Sequence, residues 1–311
     1  MSPGEQQQPA HAEAGTGLLY GVCAYLIWGS FPVYFKAFGT VPPLQIVSHR
    51  IVWSLVFLML LSFRPGRWDD IRRAVTDRRS LLILVTTAIL IATNWLAFII
   101  AVGRGQVLQS SLGYFITPFV SVLLGLIFLK EKLRRLQLVS LLLAATGVIT
   151  LTLRYGSIPW TALILALTFG SYGLLRKVVT TDALAGLTVE TIVLAPIACA
   201  YLLVVAWRGE GAFLVGGLKI NLLLMSAGVA TAVPLLLFAA AARRLRLATI
   251  GFLQYITPTL HFLLAVVVYG EPFSSAHLTS FLCIWAGLVC YSWDAWRALA
   301  AQRLRAGTRP L

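Results

Sequence analysis

Two stretches of this chain, YFITPFVSVLLGLIFLKE (114–131) and QYITPTLHFLLAVVVYGE (254–271), superpose without a gap when one is shifted by 140 residues. The shift pairs Ile116 with Ile256, Thr117 with Thr257, Pro118 with Pro258, Leu124 with Leu264 and Glu131 with Glu271. Nearer the N-terminus, a shift of 141 pairs Gly29 and Ser30 with Gly170 and Ser171. An internal repeat of this kind indicates a fold made of two related halves.

The repeated stretches lie within long apolar runs. The chain is 59% hydrophobic and 12% charged, whereas roughly a quarter of the residues of a soluble domain are charged. Apolar runs of about 18 residues or more predict membrane-spanning helices, because lipid offers backbone groups no hydrogen-bond partner. We therefore predict an all-α membrane protein of ten transmembrane helices. The predicted spans are 16–36, 44–62, 80–101, 108–129, 134–153, 158–177, 186–206, 219–239, 248–269 and 275–293.

The basic residues predict the orientation of these spans. Most of the 25 Lys and Arg residues fall in alternate connections. These basic connections are 63–79, 130–135, 176–177 and 243–246, together with the C-terminal segment. Basic loops stay on the cytoplasmic side, so both termini should be cytoplasmic and the membrane should be the inner (plasma) membrane. The same distribution argues against nucleic acid as the partner of the positive charge.

The repeat and the span count together predict opposite orientations for the two halves. We expect a polar tail at 1–15, a first five-helix repeat at 16–153, a second at 158–293 and a basic tail at 294–311. Five is an odd number, so the second copy should enter the membrane from the other side. Inverted repeats are typical of secondary transporters, whose substrate site lies near the midplane where the halves meet.

Polar side chains recur on one face of the repeated spans. Span nine carries Gln254, Thr257, Pro258 and His261 at helical spacing, and its mate carries Tyr114, Thr117, Pro118 and Ser121. Each proline lacks an N–H and leaves a carbonyl free four residues earlier. A polar stripe in hydrocarbon should face protein or water, so both stripes, with Pro118 and Pro258, are candidates to line a cavity. The alternative is that the prolines only kink the helices for packing.

Span three adds an amide and an aromatic ring. Thr87 and Asn94 are seven residues apart on one face, with Trp95 beside them. These side chains suit a pocket that binds a polar substrate, together with Tyr114, Thr117, Gln254, Thr257 and His261. The alternative is hydrogen bonding between packed spans, at about 1 kcal/mol for each bond.

Three ionisable residues fall inside spans. Arg50 is suited to bind a substrate carboxylate through two parallel hydrogen bonds. Glu190 and His49, which are mates at a shift of 141, are candidates to carry a coupling proton, since intramembrane ionisable groups commonly mark ion or substrate paths. The alternative is snorkelling, in which the charged head reaches the membrane surface near a span end.

Other chemistries find little support in the sequence. The four cysteines lie inside predicted spans without a C-x-x-C pair, and no phosphate-binding G-x-x-x-x-G-K-[ST] loop occurs. We predict no catalytic residue, no metal site and no cofactor. Expected partners are a small-molecule substrate, the lipid bilayer and a coupling proton, and a homodimer stays open. A membrane scaffold or receptor that transports nothing is the alternative from another class.

Several motifs in order give the chain a family resemblance. They are GVCAYLIWGSFPVYFK (21–36), SHR (48–50), NW (94–95), LGYFITP (112–118), GLLRK (173–177) and QYITP (254–258). With its ten spans and its repeat, the chain resembles the EamA-type members of the drug/metabolite transporter superfamily over residues 17–293. The resemblance implies inverted five-helix repeats, cytoplasmic termini, a cavity between spans one to four and six to nine, and export or exchange of small metabolites. We expect a secondary transporter of small polar metabolites such as amino acids, with a drug exporter as the alternative within the superfamily.

Overall fold

The structure, a computed structural model, describes residues 7–63, 66–130, 134–155, 160–245 and 247–307. All regular secondary structure in these residues is helical. The helices are α1 (Gln7–Gly29), α2 (Phe31–Lys36), α3 (Pro43–Ser62), α4 (Arg67–Thr76), α5 (Arg78–Gly103), α6 (Val107–Phe128), α7 (Arg135–Tyr155), α8 (Trp160–Val178), α9 (Ala183–Trp207), α10 (Gly217–Arg244), α11 (Leu247–Leu253), α12 (Ile256–Leu263) and α13 (Ser275–Gly307). A π-helical segment, Leu264–Val268, continues α12.

The described chain is a multi-pass membrane protein. Seven segments are long and apolar enough to cross a bilayer. They are Gly15–Lys36, Pro43–Ser62, Arg78–Gly103, Val107–Phe128, Ala183–Trp207, Gly217–Arg244 and Thr249–Val268. Two shorter apolar helices, Arg135–Gly147 and His277–Tyr291, fall where two further spans are predicted. α8 (Trp160–Val178) lies at the remaining predicted span, 158–177, and ends in the basic pair Arg176 and Lys177.

The basic connection between spans two and three contains a helix that the sequence analysis missed. α4 is amphipathic and buries Ile71 and Ala74 against Ala185 and Val189 of α9. The next residue after this helix, Asp77, caps α5 by accepting hydrogen bonds from the backbone N–H groups of Arg79 and Ser80. The Ser80 hydroxyl donates to the same carboxylate and holds the pKa of Asp77 below its ordinary value.

Two predicted spans are interrupted rather than continuous. Span one stops at Gly29 and resumes at Phe31, just before Pro32. Span nine, predicted as one helix over 248–269, is broken at Gln254 and Tyr255 and ends in the π-helical segment. Pro258 has no N–H to donate to the Gln254 carbonyl, which accounts for a break at this point. Pro118 lies at the matching position of α6, which is unbroken.

Helices from the two predicted halves pack chiefly against one another. α3 packs on α9 and α10, α6 on α8, and α1 on α10 and α12. The two copies of the repeated stretch, in α6 and α12, are also in contact. α7 and α13 form a pair that joins the other helices mainly through α6 and α11. The interior between the remaining helices is where buried polar residues collect.

One end of the molecule gathers the basic connections, and we call it the basic end. There α4, the start of α9 and the end of α10 are joined by Asp182, which pairs with Arg67 at 3.3 Å and Arg243 at 2.8 Å. Some residues used in the sequence analysis lie outside the described residues. These are Glu131 of the repeat and the basic residues Arg64, Lys132, Arg246 and Arg309.

Candidate substrate-binding cavity

A cavity of about 470 Å³ lies between α1, α2, α3, α5, α6, α8 and α12. The lining is Tyr25, Trp28, Phe31, Arg50, Asn94, Trp95, Phe98, Tyr114, Phe169, Gln254, Thr257 and His261. All the predicted substrate-binding residues except Thr117 belong to this wall. Whether they bind a substrate stays a prediction.

Arg50 supplies the positive charge of the cavity. Its side chain on α3 is 2% exposed, so it does not snorkel to a membrane surface. Its Nε donates to the Thr231 hydroxyl at 2.8 Å. Its guanidinium lies 4.6 Å from the Trp95 ring centroid and 4.9 Å from that of Phe35. No Asp or Glu of the described residues lies within ion-pair distance of it.

His261 belongs to the same wall and carries an unpartnered hydrogen-bond acceptor. Its Nε2 lies 3.0 Å from the Trp28 carbonyl oxygen. A carbonyl only accepts, so Nε2 carries the proton of the neutral ring and Nδ1 presents a lone pair. Nδ1 is buried and has no partner among the described residues. The ring is held by stacking on Phe98 at 5.3 Å and by an edge contact with Tyr114 at 5.6 Å.

Asn94 is oriented by its neighbours. Its Nδ2 donates to the Leu165 carbonyl at 3.0 Å and to the Thr168 hydroxyl at 2.9 Å. Its Oδ1 therefore lies on the other side of the amide, where the Tyr114 hydroxyl donates to it at 3.4 Å. Asn94 and Tyr114, both part of the cavity wall, are thus joined through that oxygen.

Two more polar groups of the wall are unpartnered within the described part of the chain. They are the Tyr25 hydroxyl on α1 and the Gln254 Nε2, which sits at the break in span nine. Thr257 is different, because its hydroxyl donates to the Tyr25 carbonyl at 2.8 Å and ties α12 to α1. Buried polar groups are normally hydrogen-bonded, so unpartnered ones around a cavity indicate a place for a polar ligand or water.

The remaining predicted residues lie elsewhere. The Thr117 hydroxyl donates back to Gly113 of its own helix at 2.9 Å, so it is not available to the cavity. Pro118 lines a second cavity of about 380 Å³ between α6, α7, α11 and α13. The carbonyl of Pro258 accepts a hydrogen bond from Ser111 at 2.9 Å. His49 packs on Phe213, with ring centroids 5.2 Å apart.

Glu190 is buried away from the cavity wall. It is 1% exposed, so it does not snorkel either. Its carboxylate accepts from the Thr87 hydroxyl at 2.7 Å and lies 3.5 Å from Nη1 of Arg176. The Tyr172 hydroxyl is 3.5 Å from the other oxygen. Thr87 was expected to share the pocket with Asn94, but its hydroxyl donates to the Glu190 carboxylate instead.

Sequence reasoning missed most of the aromatic wall. Tyr25, Phe31, Phe98 and Phe169 line the cavity, but nothing in their spacing distinguishes them from aromatic residues that face lipid or pack in the core. Trp28, a further aromatic residue of the wall, precedes the interruption at Gly29 and Ser30. Its carbonyl is the one that fixes His261.

Comparison with known proteins identifies the class of protein. The EamA-like transporter family model matches residues 15–153. The chain is 45% identical over 298 residues to an uncharacterized transporter of Vibrio cholerae, covering 96% of this chain and 99% of that protein. It is 43% identical over 279 residues to protein RarD of Escherichia coli, covering 90% of this chain and 94% of that protein.

A crystal structure at 18% sequence identity superposes with a TM-score of 0.65 and covers 91% of this chain and 99% of that chain, which shows a shared fold. Together with the apolar helices, these similarities define a membrane transporter of the drug/metabolite superfamily. Within that superfamily, the chain belongs to the EamA-like transporter family and is similar to the RarD proteins over most of its length.

Proposed function

We propose that this protein is a secondary transporter that carries small polar metabolites, such as amino acids, across the plasma membrane. The transport would proceed by alternating access between inverted five-helix repeats at 16–153 and 158–293, with both termini cytoplasmic. Three features support this proposal: the internal repeat, the alternation of basic connections, and a cavity with several polar side chains between helices of both halves.

The observation that carries the proposal is the buried charge of Arg50. A buried cation without a carboxylate partner is costly, and here it meets one hydroxyl and aromatic faces. An anionic group of the substrate would compensate this charge through two parallel hydrogen bonds. A cationic substrate would instead be repelled. The carboxylate of an amino acid is a group of the required charge and size.

The second pole of the substrate would lie at His261. Nδ1 of the neutral ring accepts a hydrogen bond, and Asn94 Oδ1 is an acceptor in the same wall. An ammonium group can donate to both of these atoms. The cavity therefore suits a zwitterion better than a simple acid or a simple amine. The combination of one cation with two acceptor atoms also favours a metabolite over a lipophilic cationic drug.

Flux measurements on reconstituted protein test the proposal. Vesicles would first be screened with labelled amino acids, and the best one compared with its deaminated acid and its decarboxylated amine, for example leucine, 4-methylpentanoate and isopentylamine. We expect the amino acid to move fastest, the acid more slowly and the amine not at all. Equal flux of the amine would contradict the role of Arg50, and no flux of any small metabolite would remove the transport proposal.

A further inference from the structure

The carboxylate of Glu190 joins three helices at the basic end. The residues around it, which we call the Glu190 cluster, are Thr87 on α5, Tyr172 and Arg176 on α8, and Glu190 on α9. Among the ion pairs of the described residues, Arg176 with Glu190 is the one in which both side chains are 2% exposed. A coupling site needs access to water and substrate, whereas this carboxylate is enclosed by its partners.

Arg176 is fitted closely to α9. Its Nη2 donates to the Ala183 carbonyl at 3.2 Å, and its Nη1 lies against Gly186. A Cβ at position 186 would collide with the guanidinium, so the glycine allows the charged head to reach Glu190. Asp182, the residue just before α9, forms partly exposed ion pairs with Arg67 of α4 and Arg243 of α10. The start of α9 is therefore held from three sides.

Aromatic side chains separate the Glu190 cluster from the cavity. Tyr172 stacks on Phe238 with ring centroids 6.2 Å apart and contacts Phe169 at 5.9 Å. Phe169 itself lines the cavity. These rings lie between the cavity and the Glu190 cluster, where α5, α8 and α9 meet.

The opposite half has no equivalent pair. At a shift of 141, Arg176 corresponds to Phe35 and Glu190 to His49. Phe35 packs on the Arg50 guanidinium and His49 on Phe213. The Glu190 cluster thus contains a buried ion pair, whereas the matching positions of the other half pack through rings.

We infer that the Arg176–Glu190 pair is a latch that keeps the cavity closed toward the basic end. This inference rests on the proposed transport function. When the cavity opens toward the basic end, water reaches Arg176 and Glu190, and each charge can be solvated separately. When it is closed, each charge needs the other. Both residues are therefore positioning residues of the closed state, and Glu190 acts through Arg176 rather than as a proton carrier.

Neutralising Glu190 should release the latch, because Arg176 keeps its charge and is left buried without a partner. Removing Arg176 should have a smaller effect, because a buried Glu190 left alone can take up a proton and stay enclosed. Neutralising both should restore closure, since no unpaired charge is left. Loss of structure alone would not give this pattern, because the double variant would then be at least as damaged as either single variant. The comparison of single and double variants is therefore the decisive feature of the test.

Thiol accessibility measures the state of this gate without transport. Gly173 lies on the α8 face between Phe169 and Arg176, and an added Cβ would come no closer than 3.9 Å to Phe238. The reporter Gly173→Cys would be placed in a protein whose Cys23, Cys199, Cys283 and Cys290 are replaced by Ser. A membrane-impermeant maleimide would be added to vesicles with the basic end facing outward, and the labelling rate recorded.

We expect slow labelling of the reporter protein, at least tenfold faster labelling with Glu190→Gln, a smaller increase with Arg176→Met, and slow labelling again in the double variant. Asp69→Asn, an exposed carboxylate at the same end, is the matched control and should change nothing. Unchanged labelling with Glu190→Gln, or a double variant as fast as Glu190→Gln, would overturn the latch. Labelling requires no substrate, so it tests the latch independently of transport. The flux measurements test the transport proposal.

Discussion

α6 and its repeat mate share a proline in the same register, yet one is continuous and the other is broken. The neighbouring threonines account for part of the difference. Thr117 donates to Gly113 within its own helix, whereas Thr257 donates across to the Tyr25 carbonyl on α1. Proline therefore permits a break, and the neighbouring contacts decide whether it forms. The proposed alternation between inverted repeats requires two copies of one sequence pattern that can adopt two conformations.

The largest expected difference between the two copies is at the matched positions His261 and Ser121. His261 lines the cavity, and Ser121 is buried outside its wall. We predict that His261→Ala lowers the affinity for an amino-acid substrate about tenfold, since a lost acceptor leaves the ligand's donor unsatisfied at about 1–2 kcal/mol. Ser121→Ala should change it less than twofold. Substrate titrations of the purified variants by intrinsic fluorescence, which Trp28 and Trp95 should report, provide the measurement.

Equal effects at the two positions would remove the distinction between a cavity-lining copy and a packed copy. His261→Gln is a useful intermediate, because its amide oxygen can replace the Nδ1 acceptor while its nitrogen donates to the Trp28 carbonyl.

A smaller difference is expected at the two threonines. Thr257→Val should lower the free energy of unfolding by about 1 kcal/mol, because it removes a buried bond between α12 and α1. Thr117→Val should cost less, since its hydroxyl bonds only within α6. Chemical unfolding in detergent, followed by the circular dichroism of the helices, measures both. A larger loss for Thr117→Val would mean that back-bonding, and not the contact with α1, sets the shape of the two copies.

The smallest effect concerns the starts of spans three and eight. Asp77 caps α5 with its side chain, whereas Gly216 offers α10 no side-chain cap. Hydrogen bonds from Ser80 lower the pKa of Asp77. A lowered pKa in the folded state stabilises the fold above the unfolded value and loses this effect as the pH falls through the folded value. The melting-temperature advantage of the native protein over Asp77→Ala should thus shrink below about pH 4.

Asp77→Asn keeps an acceptor but not the charge, so its difference from Asp77→Ala should not change with pH. A constant difference between the native protein and Asp77→Ala down to low pH would instead mean that the carboxylate's charge contributes nothing to the cap.

The apolar runs predicted most of the helices closely, since lipid or core burial demands them. The predicted span 44–62 is α3 at Pro43–Ser62. Polarity inside such runs also led to Arg50, Asn94 and His261, because a polar group there needs an interior partner. α4 was missed because its two buried side chains form too short an apolar face within a basic connection. The break in span nine depends on contacts with α1 that a local pattern does not contain.

The role of Arg176 was hidden for a different reason. It lies in the last turn of α8 beside Lys177, where a basic pair normally marks the cytoplasmic end of a span. One of these two charges points inward to Glu190 and is buried, and the other is part-exposed. Charge counts treat both alike, so only the packed structure separates a charge that sets topology from one that joins helices.

The binding affinity of the best amino-acid substrate for Arg50→Gln, measured by calorimetry, tests the central role of the cavity most directly. We predict a loss of more than tenfold, because truncating a buried charge pair costs on the order of 2–5 kcal/mol, while Arg104→Gln, an exposed cation, binds normally. Native affinity in a folded Arg50→Gln protein would contradict the assignment of the substrate carboxylate to this cavity.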